Sequence, residues 1–316
     1  MTNETKEPGG STFSDLPLFI ERPGDVVGAP PYIGKSSIMQ SFLAKGDRAA
    51  MQSLCTRLLS TPTGGRLIFH VLTKYVLFAS IFSESMGSKD PVFASRGVVR
   101  EWDIGAYILV AGGPVGDESK WRPYWMPAFL FVDTAAAAAA GREVFGYPKS
   151  AANLARDDED DPFNPGFYVD VLHFPRYAPT QRPKVERLLT LSPAQPVQAN
   201  PTSRTDVSRI LAEHVNINGV DNLELPFSGM PQIMLRQFRD PVRSGRASEQ
   251  AVIIVEPRPL VIRGSGLNKA SAILDIMPSA SHPILTALGL KQKQTIDFSV
   301  WLDFDFEVGW GRRIWP

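Results

Sequence analysis

The residue with the most chemistry in prospect is Lys149, which closes the run Gly141-Arg142-Glu143-Val144-Phe145-Gly146-Tyr147-Pro148-Lys149. Pro148 fixes its own φ and biases Tyr147 towards an extended shape, so Lys149 follows a stiff, aromatic-rich bend. An amine attacks a carbonyl only when unprotonated, and a free lysine titrates near about 10.4. Burial in an apolar pocket, or a neighbouring cation, lowers that by several units. Taken alone, a lysine in a loop is a solvated charge. The other reactive residue types offer less. Gly34-Lys35-Ser36 imitates the end of a phosphate-binding loop, but that loop needs a glycine where Ala29 stands, and Pro30-Pro31-Tyr32 is a poor strand-to-loop lead-in. His70, His173, His214 and His282 share no metal-ligand spacing, so no metal site is expected. No G-x-S-x-G elbow supports a serine hydrolase. Cys55 is the only cysteine, which excludes intramolecular disulfides, Cys-rich zinc sites and Fe–S clusters.

The elements that carry Lys149 are strands with short helices between them. Ser36 to Ala44 reads as a strand. Asp47 reads as a helix N-cap, followed by one apolar face of Met51, Leu54, Cys55, Leu58 and Leu59; on that stripe Cys55 is core rather than nucleophile. Leu67 to Phe82 is apolar over about 16 residues, short of the roughly 20 of a membrane span and interrupted by His70 and Lys74; it reads as a buried strand or strand pair. Val98 to Ala111 and Trp125 to Asp133 read as strands. Asp133-Thr134 caps the six alanines Ala135 to Ala140, and Gly141 ends that helix. Arg156 to Asp161 is mostly acidic and reads as a solvated loop, its spacing unlike an EF-hand. Further strands are expected at Phe167 to Phe174, Gln232 to Phe238, Ala251 to Val255 and Thr295 to Val308, and short helices at Leu267 to Met277 and Pro283 to Leu288.

Composition agrees with that reading. The 316 residues include 27 prolines and 25 glycines, which favours many turns and short strands over a helical bundle. Lys+Arg and Asp+Glu are 33 each, and a net charge of zero argues against a general nucleic-acid or acidic-membrane binder. No signal peptide is visible, and the chain reads as soluble and cytoplasmic. Residues 1–18 are expected to form a loose arm, and residues 19–316 a single β-rich α+β domain, with no internal repeat or clear linker.

Gly141 to Lys149 resembles the signature of the acetoacetate decarboxylase family: G-R-E, a short aromatic-containing spacer, then P-K. Pro30-Pro31-Tyr32, the apolar strand Leu130 to Asp133, Phe227-Ser-Gly-Met-Pro-Gln-Ile and a closing strand near Asp303 fit the family's order, so the likeness covers roughly residues 27–310. It implies an antiparallel β-barrel or curved sheet with flanking helices. It also implies that Lys149 forms a Schiff base with a small keto acid, activated by burial in the way for which acetoacetate decarboxylase is the standard example. No organic cofactor or metal is then needed, because the imine is the electron sink, and a homo-oligomer is expected. Phe129, Phe131, Phe145 and Tyr147 are the candidate pocket walls, and Arg142, Glu143 and Pro148 the candidate positioning residues, the first two as a structural pair. The chain departs from the family at Ser150, where a second lysine is common. It departs again near Ser37, where an arginine is expected, and near Ala79 and Leu109, where glutamates are. Glu101, Arg100, Tyr107, Arg122 and Tyr124 are the candidate replacements for acid–base work or substrate binding. Three readings remain: a decarboxylase of a β-keto acid, an imine-forming aldolase–dehydratase that adds an α-keto acid such as pyruvate to an aldehyde, and a non-catalytic binding or assembly module.

Overall fold

The computed structural model describes residues 18–21, 28–158, 161–194, 200–217 and 223–315. The expected arm therefore lies, apart from Leu18, outside the described residues, as do Glu159 and Asp160 of the acidic run.

The long apolar runs become a meander of antiparallel strands: β1 (Tyr32–Lys45), β2 (Leu67–Ser88), β3 (Val99–Pro114) and β4 (Arg122–Val132). The run from Leu67 is one strand of 22 residues rather than a pair. Next come β5 (Lys149–Ala151), β6 (Asn153–Arg156), β7 (Phe167–His173), β8 (Lys184–Pro193) and β9 (Asn200–Pro201). The last group is β10 (Gln232–Arg239), β11 (Ala247–Val255), β12 (Pro257–Asn268), β13 (Ala272–Ile276), β14 (Lys293–Ile296), β15 (Ser299–Val308) and β16 (Arg312–Trp315). The large sheet runs β16-β11-β10-β4-β3-β2-β1-β15-β12-β9, with β5 beside β4; the smaller runs β14-β13-β8-β7-β6. The expected barrel is not closed: β16 and β9 end the path without pairing to each other among the described residues, and the sheet is curved instead.

The curvature gives the large sheet two buried faces. Strand residues alternate between them, because successive side chains point to opposite sides. Along β3, Trp102, Ile104, Ala106, Ile108 and Val110 join an outer core shared with the small sheet. Tyr107 and Leu109 join an inner core, which the sheet wraps around itself. Helix α1 (Arg48–Cys55) packs on the outer core; Asp47 caps it, its carboxylate accepting from Ala50 N at 2.8 Å. Cys55 is buried there, and burial raises its thiol to about 12, as a core residue and not a nucleophile requires. Helix α2 (Ala135–Ala140) is capped by Thr134 and leads to the Lys149 bend. Helix α3 (Arg204–Val215) covers the inner core, and α4 (Ile284–Leu288) the outer. No helix at Leu267 to Met277 forms. There Ala272, Leu274 and Ile276 are buried and Ile273 and Asp275 less so, a period of two that makes β13.

Candidate active site

Gly141 ends the alanine α-helix as its C-cap, as expected, but with right-handed helical dihedrals. The helical path continues through a π-helical turn, Gly141–Phe145, and stops at Gly146, whose φ is +83°. A side chain is unwelcome at either glycine. A Cβ on Gly146 would lie 2.5 Å from Arg236 Cα, in a conformation L residues avoid. A Cβ on Gly141 would lie 2.6 Å from Lys149 Cδ. Gly141 is thus the space through which the lysine side chain runs.

The chain then turns back. Tyr147 N donates to Gly141 O at 3.0 Å, and Lys149 opens β5, in parallel register with Leu130. Arg142 does not pair with Glu143, as expected from sequence; its guanidinium donates to the Lys149 carbonyl at 3.2 Å. The Glu143 carbonyl instead accepts from Arg236 at 2.6 Å. Both residues anchor the bend through backbone oxygens.

Lys149 is 8% exposed, and its ammonium donates to Glu101 Oε1 at 2.8 Å and Asp103 Oδ2 at 3.1 Å. Both acids stand on the inner face of β3, two residues apart, each 9% exposed. Burial pushes the Asp103 carboxyl up to about 8; Lys149 opposes that rise and Glu101 adds to it. For Lys149, burial favours the neutral amine, but the two acids outweigh it and hold the resting ammonium above the ordinary lysine range. A resting amine kept neutral by apolar walls is therefore not what this site contains. It contains a lysine with two acids in contact.

The cluster opens into a cavity of about 420 Å³. Tyr32, Phe145, Tyr147, Phe227 and Phe306 form a continuous aromatic side, with centroids 5.3 to 6.5 Å apart between neighbours. The Tyr32 hydroxyl donates to the Gly28 carbonyl, and burial, then Glu101, raises it to about 12. Ala136, Ala137 and Ala140 line another side, so the alanine run borders the cavity with methyl groups alone. Asp103 Oδ1 and Tyr147 Oη, on residues that line the cavity, are buried with no hydrogen-bond partner among the described residues. Burial of such groups is costly unless they are satisfied, which marks the inner end of the site as a place for a polar ligand.

The sequence-derived candidates divide by strand face. Glu101 is in contact with Lys149. Tyr107 lies below the site rather than on the cavity wall, its ring against Gly105, where a Cβ would meet Tyr107 Cε2 at 2.5 Å. Arg100, on the opposite face from Glu101, is exposed and stacks on Phe82 with its guanidinium carbon 5.6 Å from the ring centroid. Arg122 is exposed and donates to the carbonyls of Ser119 and Trp121. Tyr124 is edge-on to Phe69 in the outer core. Phe145 and Tyr147 are walls, but Phe129 and Phe131 are not; both pack on the outer core. The reason is an irregularity in β4. Ala106 pairs with Phe129 and Tyr107 with Pro127, leaving Ala128 as an extra residue. That bulge inverts the alternation, so Trp125 and then Leu130 face inward. Asp103 was missed, although Glu101-Trp102-Asp103-Ile104 carries the signal: two acids at period two running into the apolar stretch that begins at Ile104. Ala79 and Leu109, where family glutamates were sought, are inner-core residues, and Ser37 bonds Ser83 at 2.8 Å.

Among the described residues no group of three or more His, Cys, Asp or Glu is placed to hold a metal ion, and no helix is long and apolar enough to cross a membrane.

No protein-family model and no curated protein matches this sequence. Solved structures do. Acetoacetate decarboxylase from Legionella pneumophila subsp. pneumophila str. Philadelphia 1 superposes with a TM-score of 0.61 at 15% identity, over 96% of this chain and 93% of that one. An acetoacetate decarboxylase-like enzyme from Sphingomonas wittichii RW1 gives 0.58 at 15% identity, over 94% and 98%. The enduracididine biosynthesis enzyme MppR in complex with pyruvate gives 0.52 at 12% identity, over 92% and 93%. The chain therefore has the acetoacetate decarboxylase-like fold, as the signature implied, and its structural neighbours are enzymes.

Proposed function

We propose that this protein is a carbon–carbon lyase that forms a Schiff base between Lys149 and a keto acid, and that its reaction is decarboxylation of a β-keto acid. The observation that carries the reading is the Lys149 amine, buried at the inner end of the cavity between Glu101 and Asp103.

The geometry accounts for each proton. Condensation of an ammonium with a ketone gives an iminium and water, so two of the three nitrogen protons must reach the ketone oxygen. Glu101 takes one from Nζ, which frees the lone pair to bond to the ketone carbon. Asp103, protonated below about pH 8, supplies one proton to the oxygen and is recharged from the nitrogen; Glu101 then passes its proton to the resulting hydroxyl, which leaves as water. In the iminium the bond to the carboxylate breaks. Its electron pair becomes the enamine double bond, the former C=N pair becomes a nitrogen lone pair, and CO2 departs. The enamine carbon takes a proton from Asp103, water hydrolyses the new iminium to ketone and ammonium, and Asp103 regains its proton from solvent, the one proton the decarboxylation of a carboxylate consumes. The positive nitrogen is the electron sink, so the steps need no further cofactor.

A second reading ends differently: the enamine of an α-keto acid attacks an aldehyde. It draws support from MppR, whose structures include one with the condensation product of pyruvate and imidazole 4-carboxaldehyde.

Incubation with acetoacetate or pyruvate, borohydride reduction and peptide mass analysis tests the imine. A reduced adduct on Lys149 is expected, absent in Lys149→Ala. CO2 release from β-keto acids, set against condensation of pyruvate with an aldehyde, decides between the readings. No adduct with any keto acid would leave the fold as a non-catalytic binding module.

A further inference from the structure

The cavity is too large, and too apolar beyond its inner end, for acetoacetate. At about 30 Å³ per water, 420 Å³ holds on the order of 14 water-sized groups, and acetoacetate fills about half of that. The polar groups are segregated. Lys149, Glu101, Asp103 and Tyr147 are at the inner end, and Arg96 is exposed near the opening. Val99, Glu101 and Asp103 share one face of β3, so Val99 lies about 13 Å along the strand from Asp103 at roughly 3.3 Å per residue. Met86 of β2 pairs directly with Val99, and Ile81, Phe306 and Val308 continue the same lining. Ser83, Ser88 and Tyr32, which also border it, already have their hydroxyls engaged, by Ser37, the Ala29 carbonyl and the Gly28 carbonyl respectively. A four-carbon acid bound to Lys149 leaves this outer stretch wet.

We infer that the site takes a β-keto acid whose ketone carries, on the side away from the carboxylate, an unbranched or aryl apolar tail of roughly six to eight carbons beyond acetoacetate. This rests on Lys149 forming the imine; the tail lies along Val99 and Met86 while the ketone carbon meets Nζ. Each methylene that leaves water for such walls strengthens binding by about fourfold.

The test uses the full chain and an equimolar mixture of acetoacetate and 3-oxodecanoate, both below saturation. Borohydride reduction follows, and the two alkyl adducts on Lys149 are counted by mass. The long adduct is expected to exceed the short one by at least about a hundredfold. Val99→Trp, at a position 46% exposed, narrows the outer stretch and is expected to lower that ratio by about tenfold or more. Equal adducts, or an excess of the short one, would overturn the tail while leaving the imine intact. An unchanged ratio in Val99→Trp would overturn its placement. Absence of both adducts from Lys149 would remove the imine itself, a distinct result. The wild-type competition decides the tail even where the tryptophan variant fails to fold.

Discussion

Asp103 offers the sharpest perturbation, because burial displaces its carboxyl well above its ordinary range, in a direction with two separate consequences. Raised from 3.8 to about 8 by burial, it is protonated in the folded protein and ionised in the unfolded chain across that interval. Folding then takes up a proton. Stability from this group is fully present below pH 3.8 and is lost as pH rises towards 8. A displacement of about four units is on the order of 5 kcal/mol. At about 2.1 cal/mol/K per residue, 316 residues lose about 1.5 °C of Tm per kcal/mol, or roughly 8 °C in all. Asp103→Asn keeps the shape and removes the titration. The variant should gain on the wild type progressively between pH 5 and 8, and the gap should level off above that.

The kinetic consequence runs on the same group. Imine formation in the wild type needs Asp103 protonated, so single-turnover trapping should fall as pH rises through about 8, tenfold per unit beyond it. In Asp103→Asn that limb should vanish, with the plateau lowered by about 10² to 10⁴, the usual contribution of a positioned acid. A Tm difference that stays constant from pH 5 to 9 would refute the buried-acid argument. A variant that keeps the limb at the same midpoint would refute the assignment of the acid to Asp103, whatever its stability.

Two further substitutions separate the site from the scaffold. Gly141→Ala places a Cβ 2.6 Å from Lys149 Cδ, which a flexible side chain relieves by moving; the protein should fold, with Nζ displaced by about 1 Å and trapping slowed about a hundredfold. Phe131→Ala empties a fully buried outer-core site, and denaturant unfolding should show a loss of about 3 to 5 kcal/mol, while the ratio of long to short adducts stays at the wild-type value.

Much of this was legible where the information is local. Strands β1 to β4, the Asp47 cap and the alanine helix are each declared by neighbours in the chain. The Gly141 to Lys149 signature is legible for the same reason: nearly all its residues serve one side chain a few positions away. Gly141 gives the lysine room, Arg142 holds its carbonyl, Gly146 permits the turn against Arg236, and Tyr147 walls the cavity. The expected Arg142–Glu143 pair is absent, because each anchors the bend through a backbone carbonyl, and Gly141 is needed for its missing Cβ and not for a left-handed φ.

What escaped was non-local. Phe129 and Phe131 are candidate walls by type and by nearness to the signature, but one extra residue at Ala128 turns both to the outer core. A bulge shows only in the pairing with the next strand, which the sequence of one strand does not contain. Asp103 escaped similarly: the family's glutamates fall near Ala79 and Leu109, and of the two acids that meet Lys149 where β3 passes it, only Glu101 is among the sequence candidates. That relocation has a chemical consequence. With Ser150 in place of a second lysine, no lysine follows it to lower its pKa, and the two acids beside it hold it protonated instead. Catalysis here must therefore begin with a proton transfer inside the cluster, from Nζ to Glu101, with Asp103 kept neutral by burial. A buried Lys–Glu pair and its proton-transferred, uncharged form carry the same total charge, and a dry site narrows the gap between them, since desolvation penalises the charged pair alone. An apolar substrate tail that expels water from the cavity favours the uncharged form further, so the features that select the tail also prepare the nucleophile.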